Sequence, residues 1–227
     1  MNLAGKFIVV DGPDGGGKGT QLARLERSIA VAGGSVVRAK DPGGTEIGER
    51  IRHLLLLEEN PGMDPRCEAL LFMASRAQLI AEVVRPALEA GKTVLCDRFI
   101  SATYAYQGAA GFPVEQVLTL GGMAVGGIWP DLTLILDLEP ELGFSRTGRA
   151  PSVSRRRSAA LRGQMAMFDG AVVDAIEQRP IEYHRRVRQL FRSLPDRYPG
   201  RVVLIDASPD ADRVEAEVQG ALRSTFP

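Results

Sequence analysis

The chain has 227 residues, with 28 basic and 28 acidic side chains and a formal net charge of zero. That length supports one large domain able to bury about 70% of its unfolded surface. The charge balance excludes the broad basic footprint of a nucleic-acid or membrane-surface binder. Two cysteines, Cys67 and Cys96, offer neither a disulfide framework nor metal-ligand spacing.

The N-terminal "MNLAGKFIVVDG" carries too short an apolar run for a secretory signal. No stretch approaches the ~20 apolar residues of a membrane span. The expectation is a cytoplasmic protein.

Five apolar runs stand out in chain order: 7–10, 35–39, 93–96, 132–138 and 201–206. They are rich in Val, Ile and Leu and mostly continuous, the pattern of strands buried on both faces. Helical patterns separate them. One covers 21–32 and ends at Gly33 and Gly34. Another covers 64–89, with Asp64 as N-cap, Pro65 in the first turn and Gly91 just beyond the end. The last helix is expected to start at Ser208 and Pro209. Strands alternating with helices predict an α/β fold with five parallel strands flanked by helices on both faces.

The first strand runs into "DGPDGGGKGTQ". The pattern G-x-x-x-x-G-K spans Gly12 to Lys18, between a strand and a helix, which is the context a phosphate-binding P-loop requires. Glycines let backbone N–H groups point at phosphate oxygens, and the helix N-terminus adds its positive dipole end. Gly12, Pro13, Asp14, Gly15, Gly16, Gly17, Lys18, Gly19 and Thr20 form the candidate ATP site. Lys18 would reach the β- and γ-phosphates. The hydroxyl that usually follows the lysine comes one place later, at Thr20. A solvent-facing glycine-rich turn is the bland alternative.

A second cluster closes the third strand. Asp97, at its C-terminal end, suits a water-mediated hold on Mg²⁺. Arg98 and Arg52 can grip a second phosphate, since a guanidinium matches phosphate bidentately. Read alone, Asp97 is also a strand-end cap, Arg52 a solvated helix arginine and Phe72 ordinary core. Residues 146–162 hold six arginines and no acidic residue. This is a lid candidate, extending to about 173, within a single domain over 1–227.

Taken together, these segments resemble the thymidylate kinases, P-loop nucleoside monophosphate kinases. "DPGGTEIGERIRHLLL" is similar to the family's "EPGGT…IR", "ALLFMASRAQL" to "LLFAADRAQ", and "DRFISATYAYQG" to "DRYxxSTxAYQG". "WPDLTLILDLEPELGFSR" and "DAIEQ" resemble "PDLTLLLDVDPEVGLKR" and "DRIEQ". The resemblance implies a three-layer kinase sandwich, phosphoryl transfer from ATP to dTMP, Mg²⁺ and a homodimer.

It also implies residue roles. Phe72 stacks on thymine and Arg76, one helical turn on, hydrogen-bonds the base. Thr103 and Gln107 line the base edge, and Tyr106 crowds the sugar 2′ position. Asp14 meets the 3′-hydroxyl or the metal shell. Arg52 and Arg98 hold the acceptor phosphate. One branch of the family carries an arginine in the P-loop, where this chain has Gly15. The other branch supplies arginines from the lid, for which Arg146 and Arg149 fit best and Arg155, Arg156 and Arg157 follow. Lys40, Asp41, Ala102 and Ala175 depart from the family pattern. A deoxynucleoside kinase and a catalytically impaired regulatory protein are the rival readings.

Overall fold

The computed structural model describes residues 2–56, 60, 63–148 and 179–227. Five strands, β1 (Phe7–Asp11), β2 (Val36–Lys40), β3 (Thr93–Asp97), β4 (Leu132–Asp137) and β5 (Arg201–Asp206), form one sheet. Their order is β2-β3-β1-β4-β5, and every pairing is parallel. The fold class expected from the strand and helix pattern is the one observed.

The apolar runs become central strands because both faces of the sheet are covered. Phe7 and Val9 enter one core, and Ile8 and Val10 the other. Such a strand has no solvent face, so no alternation survives in its sequence. The edges differ. Four of the five residues of β2 and five of the six of β5 are at least partly exposed, whereas β1 is buried throughout and β3 and β4 are buried up to their last residues, Asp97 and Asp137.

Helices α1 (Lys18–Val31) and α9 (Ala211–Thr225) cover one face. The opposite face packs against α3 (Pro65–Leu79), α5 (Ile100–Ala109), α6 (Val114–Val125) and α8 (Ile181–Ser193). Helices α2 (Glu46–Leu56), α4 (Arg85–Glu89) and α7 (Pro140–Thr147) complete the α-helical set among the described residues.

Asp64 caps α3 as expected, accepting from the Arg66 N–H, with Pro65 at the first helical position. The predicted single helix over 64–89 contains a π-helical turn at Ile80–Val84 before α4. That turn lies just before Pro86, whose ring cannot fit the regular i−4 ladder. The last helix begins later than expected. Asp210, not Ser208, is its N-cap and accepts from the N–H groups of Asp212 and Arg213.

An ionic joint ties α8 to the sheet. Arg188 donates to both carboxylate oxygens of Asp137 at 2.7 and 3.0 Å, and Arg192 adds a third bond at 3.0 Å. Arg188 also pairs with Glu139, and Arg185 with Glu141 on α7. Charge-assisted bonds of this kind contribute roughly 1.5–3 kcal/mol. Arg188→Ala is therefore expected to lower the melting temperature by about 2–4 °C per kcal/mol lost. Thermal unfolding followed by circular dichroism checks this, and an unchanged midpoint would remove the joint's energetic role.

Candidate active site

The C-terminal ends of the parallel strands gather the chemistry. β1 ends at Asp11 and turns at once into the loop 12–17, which feeds α1. Gly12 has φ 130°, and a Cβ there would lie 2.5 Å from the Leu136 carbonyl oxygen of β4. Only glycine lets the loop run so close to the neighbouring strand.

Lys18 opens α1 and folds back over the loop. Its Nζ donates to the carbonyls of Gly12 and Pro13 at 3.1 and 2.9 Å and lies 3.6 Å from Asp14. Burial and then the nearby Arg98 charge pull the lysine's pKa below its ordinary value. Such a lysine gives up little hydration when it turns to a phosphate. Thr20, two residues on, is exposed on the first turn of α1.

Arg98 follows β3 and has φ 64°, the left-handed region that non-glycine residues rarely enter. Its guanidinium bridges to the P-loop. Nη1 donates to Asp11 Oδ1 at 3.3 Å and to the Gly12 carbonyl at 3.1 Å, and Nη2 pairs with Asp14. The guanidinium also lies over the Tyr106 ring, 5.2 Å from its centroid. The Tyr106 hydroxyl donates to the other oxygen of Asp14 at 3.4 Å. Burial raises the Asp14 pKa, but the Arg98 and Lys18 charges outweigh it and hold the carboxyl down at about 2. Asp14 therefore stays an acceptor at every physiological pH. Asp97 carries a buried Oδ1 with no protein partner among the described residues.

A second pocket wall lies on α3 and α5. Arg76 is 1% exposed, and its Nε donates to Asp41 at 2.6 Å and its Nη2 to Thr103 at 3.0 Å. Phe72, Thr103 and Gln107 are buried with it, and Gln107 keeps an unpaired Nε2 among the described residues. Arg52 on α2 donates to the Pro42 carbonyl at 3.0 Å. Tyr183, on the first turn of α8, donates to the Tyr106 carbonyl at 2.8 Å and fixes that helix from behind.

The expected residues thus fall into two neighbouring groups. Lys18, Asp14, Arg98 and Tyr106 join the P-loop, and Phe72, Arg76, Thr103 and Gln107 form the second wall. Arg146, expected at the reacting phosphates, here donates through its guanidinium to the carbonyls of Ala207, Ser208 and Pro209 at 2.7, 2.8 and 3.3 Å. Arginine prefers fixed acceptors in its plane, and the loop before α9 supplies three. Arg149, Arg155, Arg156, Arg157 and Ala175 lie outside the described residues.

Pattern reading of the sequence passed over Asp11, Ser101 and Gly143. Asp11 and Ser101 are wholly buried, with Ser101 Oγ donating to Asp11 at 2.5 Å. A carboxylate closing an apolar strand was the available signal. Gly143 on α7 had none, because its partner Gly15 is distant in sequence.

The family model for thymidylate kinase matches residues 10–218. Thymidylate kinase of Deinococcus radiodurans is 42% identical over 219 residues, covering 96% of each chain. The Exiguobacterium enzyme is 40% identical over 217 residues, covering 95% of this chain and 93% of its own. The crystal structure of thymidylate kinase from Ehrlichia chaffeensis superposes with a TM-score of 0.72 at 28% identity, over 97% of this chain and 99% of that one. A parallel sheet, a P-loop at its central strand and these likenesses along almost the whole length agree: the chain belongs to the thymidylate kinase family.

Proposed function

We propose that this chain transfers the γ-phosphoryl group of ATP to the phosphate of dTMP, giving dTDP and ADP. The observation that carries the reading is the Arg98 bridge. One guanidinium contacts the loop that would hold ATP and lies over the ring of Tyr106, whose helix also carries Thr103, the hydrogen-bond partner of Arg76. Two phosphates brought to one arginine are in position for transfer between them. The acceptor is itself a phosphate oxygen, so no strong general base is needed.

In this reading, residues 12–20 bind ATP and Lys18 neutralises charge on its terminal phosphates. Arg98 and Arg52 hold the acceptor phosphate. Phe72 stacks on thymine, while Arg76, Thr103 and Gln107 read its polar edge. Asp14 takes the 3′-hydroxyl, and Tyr106 fills the space that a 2′-hydroxyl needs.

Asp97, with its orphaned oxygen, suits a water-mediated Mg²⁺, and Thr20 offers an exposed hydroxyl on the first turn of α1. Among the described residues no group of three His, Cys, Asp or Glu side chains could hold a metal by itself. The ion would therefore be held largely by phosphates and water, where it would offset phosphate charge. The lid, about 146–173, would supply Arg149 to the transferring group within a one-domain protein.

A homodimer would cover Leu70 and Met123, exposed on the adjoining helices α3 and α6. No helix among the described residues is long and apolar enough to cross a membrane, which fits a cytoplasmic enzyme acting on small molecules.

A coupled ADP-release assay with ATP and a panel of monophosphates tests the acceptor. The expected order is dTMP, then dUMP, then UMP. One missing methyl costs only ~1–3 kcal/mol, so dUMP keeps measurable turnover. AMP or CMP outperforming dTMP would overturn the reading. ADP release with no monophosphate preference would favour the regulatory alternative.

A further inference from the structure

Arg98 stands in a backbone conformation that costs on the order of 1–3 kcal/mol, so its surroundings must hold it there. Its N–H donates to the Val10 carbonyl at 3.1 Å. Its guanidinium meets two carboxylates that differ in kind. The Asp14 side chain is 33% exposed, at the loop surface where substrates would arrive. The Asp11 side chain is 0% exposed and out of reach of any ligand.

Asp11 is fastened from three directions. Its Oδ1 accepts from the Gly12 N–H at 2.8 Å and from Arg98 at 3.3 Å, and its Oδ2 accepts from Ser101 on the first turn of α5. It thereby joins the first residue of the P-loop, the helix carrying Thr103 and Tyr106, and the arginine after β3. A carboxylate with no exposure is costly unless charge-paired and hydrogen-bonded, and burial raises the Asp11 pKa in spite of Arg98. An asparagine would satisfy Gly12 and Ser101 at lower cost. The feature that requires a carboxylate is Arg98.

We propose that Asp11 is a positioning residue that acts on the acceptor phosphate through Arg98. Asp14 is free to exchange its grip on Arg98 for substrate, whereas Asp11 keeps the guanidinium in register with the P-loop during that exchange. The inference rests on the reading of Arg98 as the acceptor-phosphate ligand.

Steady-state kinetics on Asp11→Asn, Arg98→Ala and the double variant test it. Asp11→Asn is expected to raise the KM for dTMP about tenfold, a change worth ~1.4 kcal/mol. The KM for ATP should stay within about twofold, because the glycine backbone and Lys18 remain. Added to Arg98→Ala, Asp11→Asn should cause no further loss, as expected for two residues acting as one unit. Equal rises in both KM values would mean a distorted P-loop, and additive losses a separate role; either result overturns the proposal. If Arg98→Ala leaves the KM for dTMP unchanged, the acceptor site itself is misassigned and the inference falls with it. If Arg98→Ala raises it and Asp11→Asn does not, only the inference falls. Should Asp11→Asn fail to fold, Ser101→Ala replaces it. A rise of about threefold in the KM for dTMP alone is expected there, and no rise overturns the proposal.

Discussion

Lys18→Ala is expected to lower kcat by at least about 10²–10³, the loss seen when one preorganised charge donor is removed from a transition state. The ammonium sits at the one point where loop carbonyls, Asp14 and the start of α1 converge. In the protein alone it neutralises loop oxygens, and with ATP it would turn to the phosphates. Because it also ties two carbonyls, the variant is expected to lose about 1–3 kcal/mol of stability. The fold survives, since Lys18 belongs to neither hydrophobic core. Single-turnover phosphoryl transfer, read beside thermal unfolding, separates the two effects. Near-normal transfer with an unchanged midpoint would remove Lys18 from the chemistry.

Gly15→Arg is expected to damage both stability and turnover. Here Gly15 has φ 78°, and a Cβ would stand 2.5 Å from the Gly143 carbonyl oxygen. A Cβ on Gly143 would in turn stand 2.4 Å from the Asp14 carbonyl oxygen. Both contacts are with backbone, so no rotamer change relieves them. The left-handed conformation costs about 1–2 kcal/mol and overpacking about 1–3 more. That is a fall of roughly 4–20 °C at 2–4 °C per kcal/mol. Arg149→Ala, by contrast, is expected to keep the melting temperature and the KM for dTMP while lowering kcat by about 10³. The double variant should therefore be no more active than Arg149→Ala alone. Restored turnover in the double variant, with the parent's melting temperature, would show that α7 yields and that this close approach carries no constraint.

Most of the fold was legible because its signals are local. Continuous Val, Ile and Leu runs mark strands covered on both faces, and Asp64 with Pro65 marks a helix start. The P-loop is legible for the same reason: glycine spacing, the preceding strand and the following helix are contiguous. The second wall, Phe72, Arg76, Thr103 and Gln107, is legible only through family resemblance. Phe72 and Arg76 lie one turn apart on α3, yet nothing local separates a ligand wall from ordinary core.

What the sequence by itself determined is the run of elements, the phosphate loop and the identity of the charged groups near it. The tertiary structure decided which of those charges meet. Arg146 reads as a free lid arginine until the loop before α9 presents three carbonyls to it. Asp11 reads as the last residue of a strand until Ser101 and Arg98, nearly 90 residues later, close on it. Gly15 and Gly143 read as unrelated until α7 brings backbone against backbone. A side chain's type and its local backbone are set by neighbours in the chain. Its partners are set by strand order and helix packing, which join residues across separations that no local pattern spans.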